Sequence, residues 1–145
     1  MLSNASKYAI RSVLFLAENS SPKRKYGALE ISEELSIPKH FIAKLLQQLS
    51  KENIISSSKG PSGGFYMTKR NLSNNICDVI SVIDGQEVFE GCFLGLTECD
   101  DENPCPSHEI YKSFKEKILD QFKNQTIEEF SKSIQEKGTF LTLNL

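Results

Sequence analysis

The feature that most constrains this chain is a change of hydrophobic period after residue 52. From Ala28 to Leu35, and again from Pro38 to about Glu52, apolar residues recur at helical spacing. The first segment turns Leu29, Ile31 and Leu35 inward. The second turns Phe41, Ile42, Leu45, Leu46 and Leu49 inward and leaves Lys39, His40, Lys44, Gln47, Gln48 and Lys51 outside. Only Ser36-Ile37-Pro38 separates the two, and proline suits the first turn of a helix because its missing N–H costs nothing there. Ile54-Ile55-Ser56-Ser57-Ser58 then reads as a strand, Lys59-Gly60-Pro61-Ser62-Gly63-Gly64 as a turn and Phe65-Tyr66-Met67-Thr68 as the returning strand. Two short helices on a tight turn, followed by a basic two-stranded hairpin, describe a winged helix-turn-helix. The expected fold is mainly α, with a small β-hairpin wing.

The flanking segments complete this plan. Residues 3–19 read as a helix, with Ala9, Val13, Leu16 and Ala17 on one face. Ser20 to Lys25 breaks it and adds positive charge. Asn74 to Ile83 is a fourth helix with Ile76, Val79, Ile80 and Ile83 inside, and Cys77 reads as a small core residue. Residues 84–106 have little periodicity, and a loop that long is uncommon unless it does something. Ser107 suits the N-cap of a long helix in which Ile110, Phe114, Ile118 and Phe122 repeat every four residues. That stripe needs a partner surface, which a second copy of the chain would supply. Thr126-Ile127-Glu128-Glu129 fits a capping box opening a last short helix. The expected divisions are a DNA-binding domain over 1–83, a cofactor loop over 84–106, and a dimerisation helix with its tail over 107–145.

Charge says which part meets a polyanion. The net charge of −2 hides a basic front and an acidic back. Residues 1–70 carry 11 Lys+Arg against 5 Asp+Glu, whereas residues 71–145 carry 6 against 14. The second helix of a helix-turn-helix lies in the major groove and presents its N-terminal residues to base edges. Lys39 and His40 occupy those positions, with Lys44 and Gln47 further along. Ser58, Lys59, Gly60 and Ser62 form the wing, where lysine and serine suit phosphates. Glutamine pairs with adenine. The expected partner is double-stranded DNA with a palindromic operator, gripped by a homodimer. The longest apolar run is Val13 to Ala17, far short of the ~20 residues of a membrane span. No segment of signal-peptide length precedes it, so a cytoplasmic protein without a membrane partner is expected. No GxxxxGK[ST] loop and no nucleophile–base–orienter set is present, so an enzyme is not expected.

The cysteines point to a cofactor. Three of the 4 cysteines crowd into the aperiodic loop, in the spacing Cys92-x6-Cys99-x5-Cys105-x2-His108. Thiolates suit both zinc and iron–sulfur clusters, and imidazole can complete either site. Three sulfur ligands and one nitrogen satisfy a tetrahedral zinc or a [2Fe–2S] cluster. Zinc modules use tighter C-x2-4-C pairs, whereas wide gaps on one loop suit a larger cofactor. Asp100, Asp101 and Glu102 read as solvated acids. The alternative to a regulator is a cysteine-based redox or zinc-binding protein that uses its winged helix as a protein–protein adaptor.

Three stretches together resemble the Rrf2 family of bacterial transcription regulators. They are Ser6-Lys7-Tyr8-Ala9-Ile10-Arg11, the helix pair from Ile31-Ser32-Glu33-Glu34 to Leu45, and the wing Lys59-Gly60-Pro61-Ser62-Gly63-Gly64-Phe65. The cysteine trio before a long helix is similar to the IscR and NsrR type within that family. The resemblance implies a homodimeric repressor holding one cluster per subunit, [2Fe–2S] in preference to [4Fe–4S], and sensing redox state, nitric oxide or cluster supply. It implies Cys92, Cys99 and Cys105 as cluster ligands and His108 as the fourth. An acidic residue that tunes base choice in that type is replaced here by Ala43.

Overall fold

The computed structural model describes residues 2–142, which form seven α-helices and one two-stranded sheet. Helix α1 (Asn4–Asn19) starts where the Ser3 hydroxyl accepts the Ser6 amide at 3.0 Å. Its Ala9, Val13 and Leu16 are fully buried. Helices α2 (Ala28–Leu35) and α3 (Lys39–Lys51) follow with the expected boundaries, Pro38 standing as the N-cap of α3. Their junction is clasped from both sides. Ser36 adopts a left-handed conformation, the Ile37 amide donates to the Ser32 carbonyl at 3.1 Å, and the buried Ser32 hydroxyl donates back to the Ile37 carbonyl at 2.6 Å. That clasp fixes the angle at which α3 leaves α2.

The wing is shorter than its β-rich sequence implies. β1 (Ser56–Ser58) pairs antiparallel with β2 (Gly64–Tyr66), Ser56 opposite Tyr66 and Ser58 opposite Gly64. Ile54 and Ile55 are buried in the core instead, and both of their amides point to the Leu49 carbonyl at the end of α3. With the amides taken by the helix end, no ladder can start there. On the other strand the Met67 amide donates to the Ser20 hydroxyl, and Thr68 caps a one-turn helix, α4 (Lys69–Leu72), that has no counterpart in the sequence reading. Tyr26 adds a rung to the outer edge of β2 through two hydrogen bonds with Phe65, at 2.9 and 2.8 Å.

Helix α5 (Ile76–Asp84) opens two residues later than expected because Asn75 is its N-cap, with Asp78 closing the capping box. A 3-10 turn (Gln86–Phe89) lies at the start of the cysteine loop. Then come α6 (His108–Asn124) and α7 (Ile127–Lys137), the latter opened by the Thr126–Glu129 capping box. One core gathers Val13, Leu16, Ile31, Leu35, Ile42, Leu46, Leu49, Ile76, Ile80 and Ile127. Arg11 ties the tail to it, donating to the Leu141 carbonyl at 2.6 Å and the Leu35 carbonyl at 2.7 Å. Two residues assigned to the core lie outside it. Leu29 is 50% exposed because it sits on the opposite side of α2 from Ile31 and Leu35. Phe41 is 48% exposed at the flank of the Ile42–Leu45–Leu46–Leu49 face, next to His40 and Tyr8. Among the described residues no helix is long and apolar enough to cross a membrane.

Candidate functional site

The outer face of α3 is free because its inner face is committed to the core. Ile42, Leu45, Leu46 and Leu49 are buried, and Lys39, His40, Lys44 and Gln47 all stand exposed on the far side. The wing is held beside this helix by side chains. The Ser50 and Ser57 hydroxyls meet at 2.8 Å, joining α3 to β1, and the Ser56 hydroxyl donates to Oδ1 of the buried Asn71 side chain at 2.8 Å. At the tip, the Gly63 amide donates to the Gly60 carbonyl at 2.9 Å, and Gly60 has φ 98°. A side chain at Gly63 would run into the Ser58 carbonyl oxygen, so the tight tip demands glycine. Lys59, Gly60 and Ser62 are exposed there. Ser58 differs from its companions: its hydroxyl is buried in the hairpin without a hydrogen-bond partner, so its side chain offers no open oxygen to a phosphate.

The cysteine loop brings its four candidate ligands together in pairs. Backbone hydrogen bonds fold it: Gly95 amide to Cys92 carbonyl at 3.0 Å, Cys99 amide to Glu90 carbonyl at 3.0 Å, and His108 amide to Cys105 carbonyl at 3.0 Å. Cys92 and Cys105 are buried, and each thiol is near enough to shift the protonation of the other. The Leu94 amide, 3.4 Å from the Cys92 sulfur, holds that thiol below its ordinary range, with help from Cys105 and the Leu96 amide. Desolvation pushes Cys105 up, and the neighbouring Cys92 and Cys99 sulfurs add to the rise. The Cys99 sulfur meets His108 Nδ1 at 3.5 Å. Cys77 is elsewhere, buried in α5, with burial raising its thiol.

His108 is the unexpected member of this set. Its position in the first turn of a surface helix suggests an exposed imidazole, yet it is only 3% exposed. Its Nε2 lies 2.7 Å from the Asp101 carboxylate, which Lys112 also contacts at 2.9 Å. The Lys112 hydrogen bond, then that of His108, holds Asp101 below the usual carboxylate range. An ionised carboxylate only accepts, so Nε2 carries a proton, and in the neutral imidazole the Nδ1 lone pair faces Cys99. That is how a carboxylate orients a metal-ligating histidine. Asp101 and Lys112 were not singled out from the sequence as site residues. They are nine and twenty positions beyond Cys92, on different elements, and no spacing rule joins them.

Among the described residues no three His, Cys, Asp or Glu side chains converge tightly enough to hold a single metal ion. A zinc site requires four donors around one point. A [2Fe–2S] cluster requires two donors at each of two irons, and histidine can replace cysteine at an iron. Three thiols and one imidazole, with Cys99 and His108 already meeting, fit the second demand in donor chemistry and in number.

An outward cationic helix laced to a glycine-tipped wing defines a winged helix-turn-helix transcription regulator. Residues 2–133 match the family Rrf2, described as an iron-dependent transcriptional regulator, and the chain belongs to that family. It is 33% identical over 142 residues to a chain of Aquifex aeolicus (strain VF5) described as an HTH-type transcriptional regulator, covering 97% of this chain and 96% of the relative. It is 27% identical over 128 residues to the HTH-type transcriptional regulator IscR of Klebsiella pneumoniae (strain 342), covering 88% and 77%. The fold is similar to that of CymR, the global cysteine regulator of B. subtilis, with a TM-score of 0.71 at 17% identity, covering 92% of this chain and 97% of that one. It is also similar to T. potens IscR, with a TM-score of 0.69 at 16% identity, covering 96% and 91%.

Proposed function

We propose that this Rrf2 regulator acts in the cytoplasm as a homodimeric repressor that grips a palindromic duplex operator, with its DNA affinity set by a [2Fe–2S] cluster on the 84–106 loop. Residues 1–83 are the reading module in this account, and 107–145 the dimer element. Lys39 and His40 approach base edges, Lys44 and Gln47 extend the contact along the groove, and Lys59, Gly60 and Ser62 meet phosphates or an adjacent groove. Cys92, Cys99, Cys105 and His108 hold the cluster, and Asp101 keeps His108 turned toward it. When bound, the cluster supplies a centre sensitive to redox state and nitric oxide.

The observation that carries the reading is the meeting of Cys99 and His108 at 3.5 Å, with Cys92 and Cys105 buried nearby, where the 84–106 loop runs into the first turn of α6. The family description as iron-dependent and the similarity to proteins named IscR support the choice of iron. The exposed stripe from Ile110 to Phe114 supports a second copy as the partner.

Two measurements test it. Protein purified without oxygen is brown, and its visible absorption is lost in Cys99→Ser. A colourless protein with stoichiometric zinc overturns the cluster and leaves DNA binding standing. Fluorescence anisotropy with a promoter duplex shows salt-sensitive binding, with a slope of ~0.9 in log K against log salt for each phosphate neutralised. Binding unchanged in the Lys44→Ala, Lys59→Ala double variant overturns the assignment of α3 and the wing.

A further inference from the structure

Beyond α3 and the wing, three consecutive cations face the wing tip from the α1–α2 connection. Ser21 to Arg24 is a closed turn: the Ser21 amide donates to the Arg24 carbonyl and the Arg24 amide to the Ser21 carbonyl, both at 3.0 Å. The Ser21 hydroxyl also accepts the Lys23 and Arg24 amides at 3.2 and 3.1 Å. Tyr26, the residue after the cations, is bonded to Phe65 of β2. Gly64 makes this approach possible, because a side chain there would press on the Tyr26 backbone. Lys23, Arg24 and Lys25 therefore stand on a turn braced to the hairpin, not on a free loop.

Their surroundings favour an anion. Lys23, Arg24 and Lys25 form one wall of an open cleft whose other wall is Pro61, Ser62 and Gly63 of the wing tip. The acid of that cleft is Glu30, which pairs with Arg24 at 3.0 Å. Arg24 also lies 3.8 Å from the centre of the Tyr26 ring, and Lys25 lies over Tyr66 at 5.3 Å. Lys23 and Lys25 make no ion pair among the described residues.

We propose that this turn is a second phosphate-binding element, which carries the DNA footprint past the wing tip onto the phosphodiester backbone beyond it. This rests on the DNA-binding reading above. Phosphate contact is the fitting chemistry because lysine supplies charge without base readout, and such contacts position a protein without specifying sequence.

The test compares the full-length protein with Lys23→Ala, Lys25→Ala and with Lys23→Arg, Lys25→Arg. The probe is a labelled duplex of mixed sequence, of about 40 base pairs, titrated across KCl concentrations by anisotropy. The alanine pair should lower the salt slope by about 1.8 per engaged protomer, or roughly fifty-fold in affinity at 0.1 M salt. The loss should be equal on an unrelated duplex, and the arginine pair should keep the wild-type slope. Lys23 is exposed and Lys25 half-exposed beside Tyr66, so melting should change little. A wild-type slope in the alanine pair refutes this element and leaves the α3 and wing assignment intact. Wild-type protein that binds neither duplex refutes both readings. Loss confined to one sequence also refutes it, because that would make the turn a base reader.

Discussion

Ile110→Ala is the sharpest test of the proposed dimer surface. Ile110 is 81% exposed in a single copy and shares an open face of α6 with Phe114, Ser113 and Lys117. In a twofold interface the same patch serves on both sides, so one substitution acts twice. The truncation removes three carbons. At ~0.8 kcal/mol per buried CH2, reduced for the part already covered, that is ~2 kcal/mol per protomer and ~4 per dimer. With 1.4 kcal/mol to a factor of ten, the dimer should dissociate about a thousand-fold more readily. Sedimentation equilibrium over a wide concentration range measures this directly. The protomer itself should keep its helical circular dichroism, because so exposed a side chain contributes little inside one copy. Phe122→Ala is the contrasting control. Phe122 is half-buried and packs on Phe130 at 6.2 Å between ring centres, so its loss should lower the melting temperature. A dissociation constant for Ile110→Ala within threefold of wild type would refute α6 as the dimer face, and so would a variant that unfolds.

Three further outcomes follow from particular contacts. Asp101→Ala removes the acceptor that holds His108 Nε2, so anaerobic protein should lose its visible absorption to a chelator about ten- to a hundred-fold faster, with unchanged melting before loading; equal bleaching rates would remove Asp101 from the site. Gly63→Ala should strain the hairpin by about 1–3 kcal/mol through the Ser58 carbonyl and weaken DNA binding while the helices persist, read by anisotropy beside circular dichroism. Burial alone would push the Asp84 carboxyl up, but the Ser3 hydroxyl and amide outweigh it and hold Asp84 below its usual range. Its stabilisation is therefore present above the unfolded-state value and lost as pH falls through the folded one, so Asp84→Asn should flatten the acid limb of the melting curve.

What could be read without coordinates was local. Helices α1 to α3 follow from apolar residues three and four apart, and the wing tip follows from glycines around Pro61, because those signals act over a few neighbours. Longer-range placements were not legible. Ile54 and Ile55 have strand chemistry, yet the end of α3 claims their amides and the core claims their side chains. Helix α4 has four residues, too few to show a period, and exists through the Thr68–Asn71 capping box. The cysteine trio announced itself by residue type. Its pairing, and the burial of His108 behind Asp101, depend on how the loop folds back on α6, which no spacing encodes.

That fold-back gives α6 two duties on adjacent turns. His108 and Ile110 are two residues apart, hence about 200° apart around the helix. One faces inward to the cysteines, whereas the other faces solvent where a second copy would dock. Phe93 of the loop rests on Tyr111 at 5.6 Å between ring centres, and the 3-10 turn meets the same helix through a cleft lined by Val88, Phe89 and Phe114. The loop therefore leans on a flank of the helix that adjoins the proposed dimer contacts, with Phe114 belonging to both. Under the proposed function, a ligand that orders residues 84–106 acts on the first turns of α6, and those turns set the separation of two reading heads. Linkage makes such coupling reciprocal: if the ordered loop favours the spacing that fits an operator, operator binding must favour the ordered loop by the same free energy. On that proposal the coupling would reside in the first two turns of α6, where His108 and the exposed Ile110 share one helical segment.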